Sequence, residues 1–213
     1  MSRGKGPLDH LNEAALRKIA PHGITRTFPR LAIVVNEGDE TDSLYVLLSG
    51  RVKVFITGED GREVVLATIE PRDYFGELVL DGGPRSASVM TLEPCRVFVI
   101  PNRDVEGLLA ADPLFARNLI ERLIGKVRSL TTKVRDLALK DVYYRFVRFV
   151  EENAVEVDGE RVVRERLTQH DIAARIGGSR EMVSRIFRDL VAGDYISIDA
   201  KHIRILKKLP PHW

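Results

Sequence analysis

Arg85 stands in a stretch whose residue types suit the binding of an anion. Residues 74–89 read YFGELVLDGGPRSASV, so this single arginine is followed at once by small side chains. A guanidinium can donate two parallel hydrogen bonds to a phosphate or carboxylate group, and Gly76 together with the small residues 86–88 leaves room for a ligand. The alternative interpretation is a solvated charge on a hairpin, and other parts of the chain decide between the two.

A second group of chemically suited residues lies in 167–191, LTQHDIAARIGGSREMVSRIFRDLV. Arginine can donate to O6 and N7 of guanine and glutamate can accept from N4 of cytosine, so Arg180, Glu181 and Arg185 suit the reading of a short DNA half-site. Solvated charges on a helical hairpin are the alternative. The charge distribution favours DNA, because residues 161–213 hold eleven Lys and Arg against six Asp and Glu, whereas the whole chain has a net charge of +2.

The elements that carry this group form a predicted helix-turn-helix. Thr168 and Asp171 are spaced as a capping box at the start of one short helix. The glycine pair 177–178 ends that helix, because glycine adopts the left-handed conformation that a tight turn requires. Ser179 is a suitable N-cap for a second helix over 180–191.

Beyond the second helix, the segments 193–198 and 202–205 alternate as two short strands of a wing, which carries Arg204 beside other cations suited to phosphate contact. The residues that we expect to contact DNA are spread over both helices and the wing. They are Thr168, Gln169, Ser179, Arg180, Glu181, Ser184, Arg185, Arg188, Lys201 and His202.

Short β-rich runs dominate the first half of the chain, from residue 25 to about residue 102. The runs LAIVV, SLYVLL, RVKVFI, EVVLATI, SASVMTL and RVFVI recur at roughly ten-residue intervals between Gly, Asp and Pro, which indicates an all-β barrel or roll. Cys95, the only cysteine, is interpreted as a small buried hydrophobic residue. Residues 8–20 precede the roll as a short amphipathic helix with apolar positions at Leu8, Leu11, Ala15, Leu16 and Ile19.

A long helix is predicted to follow, with Asp112 as N-cap and Pro113 at its first position. Its apolar residues recur in alternating steps of four and three, as in a coiled coil, at Ala116, Ile120, Leu123, Val127, Leu130, Val134 and Leu137. We expect this seam to pair with a second copy of the chain through 113–137, and the alternative is packing on its own domain. A second stripe is expected to pack on the β-roll: Phe115, Leu119 and Ile124.

The chain resembles the CRP/FNR family of bacterial transcription regulators, named after the cyclic-AMP receptor protein and the fumarate-nitrate regulator. The resemblance covers nearly all of residues 8–207 and rests on four motifs in a specific order. They are the glycines of Glu37-Gly-Asp39 and Leu48-Ser-Gly-Arg-Val52, the cassette Phe75-Gly-Glu-Leu78 with Arg85-Ser-Ala87, the long helix running into Leu137-Ala138 and Asp141-Val142, and Gly178-Ser-Arg-Glu-Met-Val-Ser-Arg185.

The resemblance implies a β-roll that holds an effector, a homodimer along the long helix, and a winged helix-turn-helix on a two-fold symmetric operator with TGTGA-like half-sites. In cyclic-AMP-responsive members of the family, the arginine and the following serine meet the cyclic phosphate, and the glutamate accepts from the ribose 2′-hydroxyl. These residues correspond to Arg85, Ser86 and Glu77. The effector-site residues that the resemblance implies are Gly76, Glu77, Leu78, Arg85, Ser86, Ala87, Lys126, Leu130 and Thr131.

One departure from the family leaves the identity of the effector open. Cyclic-AMP-responsive members place Thr-Ser on the long helix where the purine meets both subunits, whereas this chain has Leu130-Thr131. One of the two hydroxyls is therefore missing, although Lys126 and Thr131 can contribute. The expected effector is a cyclic nucleotide, namely cyclic AMP, cyclic GMP or a cyclic dinucleotide, and the alternative is a regulator that needs no effector.

The expected fold class is α+β, with three parts. They are a β-roll of the cyclic-nucleotide-binding jelly-roll type with its N-terminal helix in 1–111, a long dimerisation helix in 112–139, and a winged helix-turn-helix in 140–213. The expected partners are double-stranded DNA, a second copy of the chain and RNA polymerase, in the cytoplasm and away from membranes. A regulatory module that acts through protein contacts is the rival interpretation.

Several other classes of protein fit the sequence poorly. The single cysteine argues against an iron–sulfur oxygen sensor, and the absence of histidine between 25 and 102 argues against haem and cupin-type metal sites. The sequence has no P-loop, nucleophile elbow or HExxH motif, so neither a metal cofactor nor an enzymatic activity is expected.

Overall fold

The computed structural model describes residues 13–40, 42–199 and 202–210. Its helices and strands are, in chain order, α1 (Glu13–Ile19), β1 (Ile24–Phe28), β2 (Ile33–Val35), β3 (Ser43–Ser49), β4 (Val52–Thr57), β5 (Glu63–Ile69), β6 (Tyr74–Phe75), β7 (Ser88–Thr91), β8 (Cys95–Pro101), α2 (Asn102–Ala111), α3 (Pro113–Leu139), α4 (Val142–Asn153), β9 (Ala154–Val157), β10 (Glu160–Val163), α5 (Gln169–Ile176), α6 (Arg180–Ala192), β11 (Ile196–Asp199) and β12 (His202–Ile205). This order confirms the expected α+β class. Within the described ranges, no helix is both long and apolar enough to cross a bilayer.

The chain forms two compact units. One is built from the residues up to Ile56 together with Leu66–Arg128, and the other from Thr57–Val65 together with the residues from Ser129 onward. Most of the residues of two antiparallel four-stranded sheets, with strand orders β1-β8-β3-β6 and β2-β7-β4-β5, belong to the first unit. These sheets are the β-roll that the short apolar runs predict.

Strand β8 is the centre of the roll, because it pairs with both β1 and β3. Its apolar run is buried on both faces, and Phe98 and Ile100 have no exposed surface. The edge strand β1, by contrast, leaves Ile24 47% exposed. Its sequence, ITRTF, lacks a continuous apolar run, which is why the sequence analysis did not recognise it as a strand.

Cys95 is buried at the start of β8, as the sequence analysis expected. Its side chain is 1% exposed. The thiol donates hydrogen bonds to the carbonyls of Glu93, at 3.1 Å, and of Arg51, at 3.4 Å. The residue therefore acts as a packed core side chain whose one polar group is satisfied.

Helix α3 begins where Asp112 was expected to cap it. The Asp112 carboxylate accepts from the amides of Leu114 and Phe115, at 3.0 and 3.1 Å. Phe115 is buried, as is the other core residue expected from this stripe, Leu119. A further helix, α2, was not predicted; it ends at Ala111, so that Asp112 alone separates it from α3.

The third member of the predicted stripe, Ile124, is a correction. Its side chain is 48% exposed, and Leu123 packs partly against the core instead. The reason is the helical period: Ile124 lies about two and a half turns beyond Phe115, which places it on the opposite side of a 3.6-residue helix. Leu123 follows Leu119 by four residues and so stays on the core side.

The second unit contains a helix-turn-helix on a larger sheet than expected. Its four strands have the order β11-β12-β10-β9, whereas the sequence analysis predicted only the two strands of the wing. A hairpin turn joins β9 and β10, and in it Asp158 and Gly159 have φ of 52° and 81°. Positive φ at both central residues is the pattern of a type I′ hairpin turn.

Candidate effector and DNA-binding sites

Arg85 is buried in the β-roll unit, with 5% of its surface exposed. Its Nη1 donates to the carbonyl of Gly76 at 3.0 Å, and its Nη2 donates to the carbonyl of Ser43 at 2.7 Å. The guanidinium also lies over the ring of Tyr45, 5.3 Å from the centroid. Burial lowers the pKa of Arg85, but an arginine remains charged at neutral pH. This burial excludes the alternative of a solvated surface charge.

The surroundings of Arg85 leave donors available for an anion. A guanidinium has five N–H groups, and the two carbonyls of Gly76 and Ser43 accept from only two of them. Ser86 is exposed. Among the described residues, the backbone amides of Ser86 and Ala87 have no hydrogen-bond partner. Charged and neutral donors therefore belong to three consecutive residues, 85–87, which is a composition that suits an anion site.

Gly76 fits the site because no other residue type does. Its φ is +81°, in the left-handed region, and a Cβ at this position would lie 2.6 Å from Nη1 of Arg85. Gly76 also caps the short 3-10 helix Glu77–Asp81, in which Leu78 is 43% exposed. The glycine of the cassette is thus required both by the backbone and by the arginine beside it.

Glu77 and Lys126 form an ion pair in the β-roll unit. The Nζ of Lys126 lies 2.8 Å from Oε1 of Glu77, and the side chains are 28% and 11% exposed, respectively. Both residues belong to the predicted effector site, but no pattern in the sequence indicates that they form an ion pair. Lys126 also lies 3.5 Å from the carbonyl oxygen of Tyr74 and 5.3 Å from the centre of its ring. The oxygens of the Glu77 carboxylate are hydrogen-bond acceptors, and this ion pair fixes where they lie.

Leu130 and Thr131 are exposed positions of α3 in the unit that begins at Ser129. Leu130 is 42% exposed. An apolar side chain at this point cannot donate or accept a hydrogen bond, so any polar contact to a ligand here falls to Thr131.

The helix-turn-helix begins with the capping box that the sequence predicts. Thr168 Oγ1 accepts from the amide of Asp171 at 3.1 Å, and the Thr168 amide donates to the Asp171 carboxylate at 2.8 Å. Gly177 ends α5 with φ of 64°. Ser179 then caps α6 by accepting from the amide of Met182 at 3.2 Å. Each cap lies where the residue types indicate.

Helix α6 has one buried and one exposed face. Its apolar face is buried in the core of the second unit through Val183, Ile186, Phe187 and Leu190. The opposite face opens on a concave surface lined by Gln169, Ser179, Arg180, Glu181, Met182, Ser184, Arg185 and Arg188. The structure therefore brings together the predicted DNA-contacting residues of both helices, with the exception of Thr168.

Two further contacts shape this concave surface. Arg185 Nη2 donates to the sulfur of Met182 at 2.9 Å. The pKa of Glu181 is lowered by a hydrogen bond from its own backbone amide and by one from Ser179. Glu181 is therefore ionised at neutral pH and remains available as an acceptor.

The wing differs in detail from its prediction. His202 begins β12, and Arg166 Nε donates to its Nε2 at 3.4 Å. Arg204, expected to contact phosphate, pairs with Glu160 at 2.9 Å. Lys201 lies outside the described residues. Arg166 is the additional cation beside the wing, and the clustering of Arg161, Arg164 and Arg166 was the sequence signal for it.

Two family models match the chain. The cyclic nucleotide-binding domain matches residues 25–112, and the Crp-like helix-turn-helix domain matches residues 144–208. The CRP-like cAMP-activated global transcriptional regulator of Mycobacterium tuberculosis is 31% identical over 183 residues, which cover 84% of this chain and 82% of the relative. The cAMP-activated global transcriptional regulator Vfr of Pseudomonas aeruginosa is 28% identical over 197 residues, or 87% of this chain and 91% of the relative.

Solved structures share the fold. The c-di-GMP responsive global regulator CLP of Xanthomonas campestris superposes with a TM-score of 0.81 at 22% identity, covering 92% of this chain and 100% of that chain. A CRP/FNR-family transcriptional regulator from Thermus thermophilus superposes with a TM-score of 0.72 at 23% identity, covering 86% and 94%.

Proposed function

Because the chain belongs to the CRP/FNR family of transcriptional regulators, we propose that it works as a homodimer on a two-fold symmetric operator, under the control of a cyclic nucleotide. Its relatives are regulators and not enzymes. In this proposal, residues 1–111 bind the effector, 112–139 pair the two copies, and 140–213 bind DNA with TGTGA-like half-sites. The regulator works in the cytoplasm together with RNA polymerase.

The observation that carries the DNA-binding part is the concave polar surface along α6. An exposed helix face that carries Arg180, Glu181 and Arg185 suits the major groove, because these side chains match guanine and cytosine edges. The buried opposite face of α6 supports the same conclusion, since a recognition helix must be held rigidly by its own unit. Arg188 and the cations beside the wing are suited to the phosphates on either side.

Fluorescence anisotropy with a labelled TGTGA palindrome tests this part. We expect affinity to fall steeply with salt, through counterion release. Arg180→Ala is expected to lose roughly 1–3 kcal/mol of discrimination at one base position. The matched control is Arg188→Ala, which is expected to weaken all sequences alike. Salt-insensitive binding to a protein partner, with no affinity for the palindrome, would favour the rival module that acts through protein contacts.

The effector part is supported by the buried Arg85 and by the backbone amides of Ser86 and Ala87, which follow it in the chain and have no partner among the described residues. A cyclic phosphate is the anion that we propose for these donors. The Glu77 carboxylate is the acceptor that we propose for the ribose 2′-hydroxyl. The relatives of this chain respond to cyclic AMP or, at the level of shared fold, to cyclic di-GMP. Leu130 does not discriminate between cyclic AMP and cyclic di-GMP, so the proposal includes both nucleotides. A regulator that needs no effector is the alternative.

Titration calorimetry against cyclic AMP, cyclic GMP and cyclic di-GMP tests this part. We expect one of them to bind wild type, and Arg85→Leu to abolish that binding. Arg96→Leu is the control, because Arg96 is an exposed arginine that pairs with Glu13. Binding of none of the three would favour the effector-free regulator, and unchanged binding by Arg85→Leu would contradict the anchor.

A further inference from the structure

We propose that Arg122 is a positioning residue for the effector site. Through Asp73, it holds the segment Asp73–Glu77 against α3 and so sets where the Glu77 carboxylate lies. This inference rests on the proposed binding of a cyclic nucleotide. Three contacts from α3 then fix the position of the Glu77 carboxylate, which is the proposed acceptor for the ribose 2′-hydroxyl.

The three contacts come from one face of α3. Leu119, Arg122 and Lys126 follow one another at steps of three and four residues. Residues at this spacing lie above one another on an α-helix. All three meet the same short segment, which begins at Asp73 and ends at Glu77.

The first contact is a two-point ion pair between Arg122 and Asp73. Arg122 Nε donates to Asp73 Oδ1 at 3.0 Å, and Nη2 meets Oδ2. The Asp73 side chain is 16% exposed and the Arg122 side chain 36%. Paired N–H donors fix both the distance and the plane of a carboxylate, which a single contact does not do. The same Oδ1 also accepts from the Tyr74 amide at 2.8 Å, so the clamp reaches the main chain of the segment.

The second contact is the hydroxyl of Tyr74. It donates to the carbonyl of Leu119 at 3.1 Å, and the residue is 1% exposed. Burial, followed by the charge of Glu77, raises the pKa of Tyr74. The phenol therefore stays protonated and remains a donor. The third contact is the ion pair of Lys126 with Glu77 at 2.8 Å.

The segment that α3 holds is also the one that meets the proposed phosphate anchor. Gly76 lies within it, and its carbonyl accepts from Arg85 Nη1 at 3.0 Å. Arg85 is also held from outside the segment, because its Nη2 donates to the carbonyl of Ser43 at 2.7 Å, so a shift of the segment displaces the Glu77 carboxylate more than the guanidinium. Among the described residues, Arg122 forms no hydrogen bond or ion pair with Glu77 or Arg85, so its effect on a ligand passes through Asp73.

The test uses the full chain and calorimetry with cyclic AMP and 2′-deoxy cyclic AMP, and with the corresponding cyclic GMP pair. If Glu77 accepts from the 2′-hydroxyl, wild type prefers the ribose form. Arg122→Gln is expected to weaken binding of the ribose form at least tenfold, with little change for the deoxy form, so that the preference collapses. A merely structural role would weaken both forms alike.

Three further variants complete the design. Arg117→Gln is the matched control on the same helix, because Arg117 pairs with the exposed Glu121 at 2.9 Å and makes no contact with the segment Asp73–Glu77 among the described residues. Arg122→Lys keeps the charge but not the two-point geometry. It replaces Arg122→Gln in the test of ribose preference if that variant does not fold. The double variant Asp73→Arg with Arg122→Asp is expected to recover part of the preference for the ribose form.

The outcomes separate this inference from the proposed function. If wild type binds none of the nucleotides, the proposed effector function fails and this inference fails with it. If wild type prefers the ribose form, and both Arg122→Gln and Arg122→Lys keep that preference, the effector function stands and the positioning role of Arg122 is overturned. Collapse of the preference in either variant, with Arg117→Gln unchanged, supports it.

Discussion

Arg145 on α4 donates from Nε to the carbonyl of Ile176, the last residue of α5, at 2.7 Å. The same guanidinium donates to the carbonyl of Gly177 at 3.1 Å and to that of Lys140 at 2.7 Å. The C-terminal ends of α3 and α5 therefore share one cation. The last carbonyls of a helix have no partner inside the helix and carry the negative end of its dipole, so the half-buried Arg145 stabilises both ends at once.

Replacement of Arg145 by alanine should destabilise the second unit. The change leaves several carbonyls without donors, for which we expect a loss of about 2 kcal/mol in the free energy of unfolding. Arg145→Lys should recover only part of it, because one ammonium does not span both helix ends. Urea titration followed by circular dichroism measures the loss. Arg161→Ala, an exposed arginine in the same unit, is the control, and equal losses in both variants would contradict the role of Arg145.

Gly76→Ala should impair effector binding more than its backbone strain explains. The alanine Cβ would lie 2.6 Å from Arg85 Nη1 and would displace the guanidinium. Gly82→Ala is a matched control, because Gly82 also has positive φ, at +71°, but has nothing within 4 Å of its Cβ position. We expect each variant to lose about 1 kcal/mol of stability from the left-handed backbone. Calorimetry should show weaker nucleotide binding for Gly76→Ala alone.

The seam of α3 should support the pairing of two chains. Val127 and Val134 are 63% and 65% exposed within a single chain, which is unusual for two valines in one apolar row. Val134→Asp is expected to convert a dimer to a monomer in light scattering, because it places a charge in the seam. Leu139→Asp is the control, since Leu139 is 73% exposed but lies off the seam. A monomeric wild type, or a dimeric Val134→Asp, would contradict the pairing.

Asp104 should make the stability of the first unit depend on pH in the acid range. Burial opposes its ionisation, but hydrogen bonds from the side chain and the backbone of His22, at 2.7 and 2.9 Å, outweigh it and lower the pKa of Asp104. A lowered pKa stabilises the folded state above the ordinary value, near pH 4, and this stability is lost as the pH falls through the folded value.

We therefore expect Asp104→Asn to lower the free energy of unfolding at pH 7, and the difference from wild type to shrink below about pH 4. Urea titrations at several pH values measure it. Asp60→Asn is the control, because the Asp60–Arg62 pair is exposed and screened by solvent. A difference that persists unchanged at pH 3 would show that the Asp104 charge is not its source.

The sequence predicts the regular elements well, because their signals are local. The strand runs of the β-roll, the start of α3 at Asp112 and the caps of α5 and α6 at Thr168 and Ser179 each follow from a few neighbouring residues. The edge strand β1 was not predicted because it lacks such a local signal: three of its five residues are polar. The hairpin of β9 and β10 was not predicted, although Asp158-Gly159 is a strong signal for a type I′ turn.

The contacts that hold the candidate effector site were not predictable in the same way. Arg122 and Asp73 are 49 positions apart, and nothing in either neighbourhood indicates the other. The period of the apolar residues fixed the faces of α3 only approximately, so Ile124 was assigned to the core while Leu123 takes that place. Pairing between distant charged side chains depends on how the elements pack, which a pattern along one segment does not contain.

Because Cys95 is buried, the rate of its reaction with a thiol reagent reports how often the β-roll opens. Its thiol is the only one in the sequence, and burial raises its pKa, so a thiol-specific dye reacts slowly while the β-roll stays closed. Labelling then occurs only during transient openings of the first unit. The labelling rate therefore measures the transient opening of the β-roll, and no engineered probe is needed.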